Sequence, residues 1–173
     1  MKKSNKLVIF AIVLLVGVVA IMAFLNRDNA AKKQTLIDNA EFIVMENGQE
    51  VAKFTMPQIS EMGETTFKAN YKTNGKPPIE YEYTGVLLKT IVEKAGVSLE
   101  GKTMATVMAV DGYASVVEMK KLNQEGNVYL AYKREGKLIG TKQSGGKGPY
   151  QMIISKDQFS QHWCKYAVSV DIK

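Results

Sequence analysis

A glycine-rich loop near the C-terminus has the clearest chemical potential. Its sequence, GTKQSGGKGPY (residues 140–150), precedes an apolar run and contains Lys142, Gly145, Gly146 and Lys147. Glycines let backbone N–H groups approach a ligand closely and lysines add positive charge, which together suit phosphate or another anion. The spacing is not that of a nucleotide-hydrolysing P-loop, because Gly146 stands where lysine is required. Two interpretations stay open, a solvated connection and an anion-binding loop that uses these four residues.

The second candidate is Asp111-Gly112-Tyr113, where a carboxylate and a phenol are close enough in sequence for acid–base work. Asp-Gly between two apolar runs is also a strong signal for a hairpin turn. We therefore predict a turn first, and keep Asp111 and Tyr113 as candidate ligand-binding residues. No catalytic residue is assigned.

Few side chains are suited to bind a metal. The sequence has one cysteine, Cys164, and one histidine, His162, so it forms neither an intrachain disulfide nor a histidine cluster for zinc or copper. No carboxylate is placed to orient a Cys–His pair, which predicts a buried thiol beside a packed histidine rather than a nucleophile. Met104 and Met108 share a strand face and are predicted to fill the core. We predict no metal ligands.

The charge of the chain does not point to nucleic acid. The formal net charge is +6, from 23 Lys and Arg against 17 Asp and Glu. Lys2, Lys3 and Lys6 supply three of those charges, so 20 bases oppose 17 acids over the remaining residues. A sequence pI near 9.2 is therefore no indication of a nucleic-acid partner.

Residues 7–25, LVIFAIVLLVGVVAIMAFL, form an uncharged run of nineteen residues. As a helix rising ~1.5 Å per residue, the run nearly matches the ~30 Å hydrocarbon core of a bilayer. It is longer than the ~7 to 15 residues typical of a signal peptide, and no small-residue cleavage pattern follows it. The run predicts an uncleaved transmembrane anchor.

The anchor sets the expected domain organisation. We predict a short cytoplasmic tail at 1–6, the single-pass anchor at 7–25, a polar stalk at 26–39 and an extracytoplasmic domain at 40–173, attached to the cell membrane. The tail is placed inside because six residues are easily retained in the cytoplasm, whereas long domains translocate largely regardless of charge.

The remaining chain has the pattern of an α+β domain with a mixed, mainly antiparallel sheet. Short apolar runs alternate with turn signals, and Asn47-Gly48 predicts a hairpin that opens the domain. One helical turn is expected behind Pro57. The clearest helix is predicted to be capped by Thr84 and to end at Gly96, with an apolar face against the sheet.

From about Glu80 onwards, the order of segments resembles the molybdopterin-binding domain of sulfite oxidase-type oxidoreductases. The matching segments are YTGVLLKTIVEKAGV (83–97), AVDGY (109–113), NVYLAYKREGKLI (127–139), GPYQMIIS and HWCKYAVSVDI. The resemblance covers about half the chain. It implies the fold of that family and makes molybdopterin a candidate cofactor.

The resemblance also implies a cysteine that binds molybdenum, in the stretch before the Gly-Val-x-Leu helix. Here that stretch is TTFKANYKTNG, which has no cysteine, and the equivalent position is near Ala69. Cys164 lies in a segment that the family uses for packing, so the metal-binding role is not transferred to it. Arg27 and Arg134 are the only arginines, which does not match the family's arginine-rich substrate pocket.

The leading functional hypothesis is a membrane-anchored extracytoplasmic module of this fold, non-catalytic, that serves as a ligand-binding or electron-transfer accessory protein. Its expected partners are the membrane, a small anionic ligand or a surface electron-transfer protein. One alternative is a membrane-attached molybdopterin-dependent oxidoreductase with an atypical metal ligand, in which Lys142 and Lys147 hold the pterin phosphate. Another is a structural surface protein without a ligand.

Overall fold

The computed structural model describes residues 8–24, 39–72 and 75–173. The chain divides into two compact units, one up to Asp38 and one from Asn39 to Lys173. In the first unit, residues 8–24 form helix α1, whose apolar side chains are mostly exposed. No helix in the described ranges combines the length and the apolar character needed to cross a membrane.

Several predicted boundaries fall outside the described residues. They include both ends of the predicted anchor, Leu7 and Leu25, together with the tail at 1–6 and the stalk residues 26–38. The predicted anchor, tail and stalk therefore stay predictions.

The second unit contains ten strands and three short α-helices within its described residues. The strands are β1 (Phe42–Glu46), β2 (Gln49–Phe54), β3 (Thr65–Tyr71), β4 (Ile79–Leu87), β5 (Met104–Ala109), β6 (Ala114–Glu118), β7 (Val128–Arg134), β8 (Lys137–Leu138), β9 (Tyr150–Ile154) and β10 (Cys164–Ile172). The helices are α2 (Met56–Ser60), α3 (Leu88–Lys94) and α4 (Met119–Leu122), and a 3₁₀ turn spans Ser160–His162.

One mixed sheet organises these strands. Its main path runs β2-β1-β10-β9-β7-β4-β3, while β5 pairs with β10 and β6, and β8 pairs with β7. The pairing of β1 with β10 is parallel and the other pairings are antiparallel. The predicted α+β class with a mixed, mainly antiparallel sheet is confirmed.

The local turn signals are also confirmed. Asn47 and Gly48 both have positive φ, 50° and 82°, the backbone of a type I′ turn that matches the twist of the paired strands β1 and β2. Gly112 has φ of 90° between β5 and β6, so Asp111-Gly112 is a hairpin turn. The predicted helical turn at Pro57 is α2.

The predicted start of the main helix is wrong. Thr84 lies inside β4, and α3 begins only at Leu88, with Leu87 at the cap position. The reason is the packing of Gly85 against β7, where a Cβ atom would lie 2.3 Å from the carbonyl oxygen of Leu130. This close approach lets β4 pair with both β3 and β7, and the extended backbone continues past Thr84. The predicted end is confirmed, since Gly96 has φ of 84°.

The prediction that Met104 and Met108 fill the core is also wrong. They are 38% and 40% exposed, whereas Ala105, Val107 and Ala109 on the same strand are buried. Alternate residues of a strand point to opposite faces, so only one of these two sets can reach the core. The small residues face inward, and the methionines lie on the outer face of the β5–β6 hairpin.

Candidate functional site

A cavity in the second unit has a volume of about 570 Å³. It lies where the end of β3, the β5–β6 turn, the 3₁₀ turn and the start of β10 meet. The lining residues are Tyr71, Lys72, Asp111, Tyr113, Ser160, Gln161, Trp163, Lys165 and Tyr166.

Tyr166 joins the two candidate loops at this cavity. It has a left-handed φ of 56° and is the extra residue of a bulge in β10, between Lys165 and Ala167. Its N–H donates to the carbonyl oxygen of Lys147 at 2.9 Å, and its carbonyl oxygen accepts from the N–H of Val110 at 3.0 Å. A bulge re-aims the chain locally, and here it holds the glycine-rich loop and the Asp111 turn to the same strand.

A lysine and a tyrosine form the central polar contact. The Lys147 ammonium donates to the Tyr71 hydroxyl at 2.6 Å and lies 3.9 Å from the centre of that ring. The Lys165 ammonium lies 5.7 Å from the same ring centre. Burial favours a raised pKa for Tyr71, but the Lys147 hydrogen bond and the two positive charges outweigh burial and lower the pKa.

Four aromatic rings form one wall of side chains, of which Tyr71 and Trp163 line the cavity. Tyr71 lies 6.2 Å from Trp163, which lies 5.8 Å from Tyr83. Tyr81 completes the circuit, 6.4 Å from Tyr83 and 6.3 Å from Tyr71. The Trp163 indole is fixed further by donating to the carbonyl oxygen of Ile154 at 3.3 Å. Tilted and edge-to-face contacts of this kind make a rigid apolar surface.

Two buried polar atoms near this wall have no hydrogen-bond partner within the described residues. They are the Tyr83 hydroxyl and the side-chain nitrogen of Gln151. Gln151 is directly opposite Lys165 in the β9–β10 pairing, so both side chains lie on one face of the sheet. Buried polar groups are normally hydrogen-bonded, so these two atoms have hydrogen-bonding potential that no described residue satisfies.

The structure brings together only some of the predicted site residues. Asp111 and Tyr113 line the cavity, and the Asp111 carboxylate accepts from the Tyr113 N–H at 3.2 Å. Lys147 reaches the cavity through Tyr71. Lys142 lies farther out, with its ammonium 5.7 Å from the ring centre of Tyr166.

Gly145 and Gly146 do not line the cavity. Gly145 supplies a φ of 77° with open space around its Cα. At Gly146 a Cβ atom would lie 2.2 Å from the Ile139 carbonyl oxygen and 2.4 Å from the Gly140 carbonyl oxygen. Both glycines therefore set the shape of the loop, which in turn places Lys147.

Sequence reasoning missed Tyr71, Lys72, Trp163 and Lys165 as lining residues. Their local sequence predicts ordinary strands and carries no motif. The available signal was the placement of aromatic and basic residues together at the strand ends, in NYK (70–72) and WCK (163–165), but only the strand order shows that these ends meet.

This α+β architecture has a similar fold among solved structures. It is similar to the crystal structure of the sulfane dehydrogenase SoxCD from Paracoccus pantotrophus, with a TM-score of 0.62 at 17% sequence identity. The match covers 76% of this chain but 37% of that chain, so this protein spans little more than a third of its neighbour's length. No family model and no curated protein matches the chain.

The residues present do not fit a molybdenum bound by cysteine. Cys164 is fully buried, and burial, with a smaller effect of the Asp111 charge, raises the pKa of its thiol to about 12. The thiol is therefore protonated at neutral pH. Cys164 also does not line the cavity. Ala69, near the position where the resemblance predicts a cysteine ligand, is buried in β3 and has no side-chain donor atom. The described ranges hold no group of three His, Cys, Asp or Glu able to bind a metal.

The prediction of a buried thiol at Cys164 is confirmed, but the prediction of a packed histidine beside it is wrong. His162 is exposed at the end of the 3₁₀ turn, because the chain does not enter the strand until Cys164. Its ring nitrogen lies 3.1 Å from the side-chain nitrogen of Gln161.

Proposed function

We propose that the second unit is a ligand-binding module that takes a small anion with a flat aromatic part into the cavity beside Tyr71. The observation that carries this proposal is the Lys147–Tyr71 contact with Lys165 alongside. Two ammonium groups converge on one phenol at the cavity, where no carboxylate neutralises them within the described hydrogen bonds and ion pairs.

The chemistry of the walls supports this class of ligand. Trp163 and Tyr71 present ring surface for a flat group, and aromatic contacts of this kind contribute ~0.5–1.5 kcal/mol beyond their buried area. Lysines supply charge-assisted hydrogen bonds to phosphate or carboxylate oxygens, which are roughly twice as strong as neutral ones. An aromatic acid or aromatic phosphate uses both surfaces at once.

We further propose that the module is non-catalytic and is anchored to a membrane through residues 7–25, with the second unit on the extracytoplasmic side. The uncharged sequence of that segment supports anchoring. The lack of a donor atom at Ala69 and the protonated, enclosed thiol of Cys164 support a non-catalytic role, since neither residue offers a thiolate to a metal.

A second candidate is a molybdopterin-dependent oxidoreductase with an atypical metal ligand, and the fold likeness favours it. Metal analysis and absorption spectroscopy of protein from a molybdenum-replete host separate the two. Stoichiometric molybdenum and pterin would overturn the non-catalytic proposal.

The binding proposal is tested by NMR titration of the full chain with phenyl phosphate, inorganic phosphate and phenol. Phenyl phosphate should bind most tightly, with shifts at Trp163 and Tyr71. Replacing Lys147 by methionine should weaken it by about tenfold, the effect of losing one charge-assisted contact of ~1.4 kcal/mol. Lys137→Met, an equal charge change on exposed β8, is the matched control. Equal binding by both variants would contradict the proposal.

Anchoring needs a separate measurement. Full-length protein should stay with membranes in alkaline carbonate extraction, while a version starting at Asn39 should be released. Complete release of the full-length protein would rule out an integral anchor.

A further inference from the structure

The cavity is lined by charges of both signs that do not pair with each other. Lys72 and Lys165 share it with Asp111. Within the described residues, the only hydrogen bond of the Asp111 side chain is the one it accepts from the Tyr113 N–H, and no lysine lies within ion-pair distance of it. Opposite charges that line one small cavity normally form an ion pair unless the fold keeps them apart.

The cations are held on the aromatic side of the cavity. Lys147 contacts the hydroxyl and ring of Tyr71, and Lys165 is directed to the same ring. Lys72 lies 4.2 Å from the ring centre of Phe159. These contacts are cation–π interactions, which hold an ammonium group near a ring face.

The carboxylate is held at the cavity by backbone contacts. Asp111 belongs to the β5–β6 turn, and that turn is tied to the β10 bulge through the Val110 N–H and the Tyr166 carbonyl oxygen. The cavity therefore has a cationic side, where the lysines contact the rings, and a carboxylate at the β5–β6 turn that is not paired with them.

Gln151 faces the same side of the sheet as Lys165, but it does not line the cavity. Ligand acceptor atoms would meet the lysines near the rings, and ligand donor atoms would meet Asp111.

We propose that the cavity selects dipolar ligands: flat acids that carry a cationic or N–H-donating nitrogen group at the end opposite the acid. The inference rests on the proposed function, and it names a ligand class for the same cavity. The acid group binds at Lys147 and Lys165, the flat part lies along Trp163, and the nitrogen group donates to the Asp111 carboxylate.

The test compares benzoate, benzamidine and the 3- and 4-amidinobenzoates by NMR titration, with phenyl phosphate as the reference anion. At least one amidinobenzoate should bind about tenfold more tightly than benzoate, the gain of one charge-assisted hydrogen bond. Asp111→Asn keeps a turn-forming residue and should abolish the preference for that amidinobenzoate over benzoate. Glu118→Gln, an equal charge change on an exposed residue of β6, should leave the gain intact.

The outcomes separate the two proposals. If benzoate and phenyl phosphate bind but neither amidinobenzoate gains, anion binding stands and the dipolar specificity is overturned. A gain that survives in Asp111→Asn also overturns it. If none of the anions binds, both proposals fall.

Discussion

The ammonium of Lys147 lies 2.6 Å from the hydroxyl of Tyr71, although 76 residues separate them in the chain. One residue comes from the glycine-rich loop and the other from the end of β3, which is far from that loop in sheet order. The contact makes Tyr71 the only one of the described tyrosines with a resolved shift whose pKa is lowered rather than raised. It defines the cavity's cationic side and gives the proposed function a direct spectroscopic readout.

The first prediction concerns that readout. Lys147→Met should raise the pKa of Tyr71, because it removes the hydrogen bond and one of the two charges that stabilise the phenolate. The measurement is a pH titration of tyrosine ring carbons by NMR. Lys137→Met should leave the titration unchanged, and a Tyr71 pKa unaffected by Lys147→Met would show that the contact is absent in solution.

The lowered pKa of Tyr71 also affects the stability of the folded protein. A folded-state pKa below the unfolded value gives stabilisation that is present above the unfolded pKa and is lost as pH falls through the folded pKa. Lys147 should therefore stabilise the folded protein more at alkaline pH, where Tyr71 is ionised, than at neutral pH. The difference in free energy of unfolding between the wild type and Lys147→Met should be larger at alkaline pH. Urea denaturation at neutral and at alkaline pH measures this difference.

The second prediction contrasts the two loop glycines. Gly146→Ala should destabilise the domain by roughly 1–3 kcal/mol, because its Cβ would collide with two backbone carbonyl groups. Gly145→Ala should cost about 1 kcal/mol, the penalty of a left-handed conformation without a collision. Urea denaturation gives both values. A Gly146 variant as stable as the Gly145 variant would contradict the close packing of this loop.

The third prediction tests whether Gly85 lies in a strand packed against β7 rather than at the start of a helix. Gly85→Ala should cost roughly 1–3 kcal/mol or prevent folding, since a Cβ would lie 2.3 Å from the Leu130 carbonyl oxygen. Gly101→Ala is the control, because it has a positive φ but open space. Similar free energies of unfolding for the two variants would argue against the close β4–β7 approach.

The fourth prediction uses the buried Tyr83 hydroxyl. Tyr83→Phe should leave stability at pH 8 unchanged or raise it by up to about 1 kcal/mol, since the hydroxyl is desolvated and, although Arg134 lies close enough to act on its pKa, it makes no hydrogen bond of good geometry in the described structure. Tyr113→Phe, at an exposed site, is the control. A clear loss of stability in Tyr83→Phe would show that the hydroxyl makes a stabilising contact.

Tyr83→Phe should also change how the free energy of unfolding depends on pH in the alkaline range. Burial raises the pKa of Tyr83 to about 12, and nearby Arg134 only partly offsets this. A folded-state pKa above the unfolded value of ~10 means that stability is lost as pH rises from 10 towards 12. Tyr83→Phe should make that loss shallower in urea denaturation at pH 8 and pH 10.5.

Much of the local structure followed from the sequence alone. Asn47-Gly48 and Asp111-Gly112 are hairpin turns as predicted, because the positive φ of Asn47, Gly48 and Gly112 is a local property and needs no distant partner. Gly96 ends α3 for the same reason. The single cysteine and single histidine already limited the metal chemistry, and strand alternation indicated the α+β class.

The tertiary structure decided which faces are covered and which strand ends meet. Thr84 would cap a helix in isolation, but the pairing of β4 with two neighbours keeps it extended. Met104 and Met108 alternate with smaller residues, and only packing determined that the smaller set faces the core. Tyr71 and Asp111 line one cavity, and Lys147 contacts Tyr71 there, because β10 carries a bulge at Tyr166 that binds both loops. Backbone dihedral preferences are local and can be read from neighbours, whereas such encounters depend on strand order, which no short segment encodes.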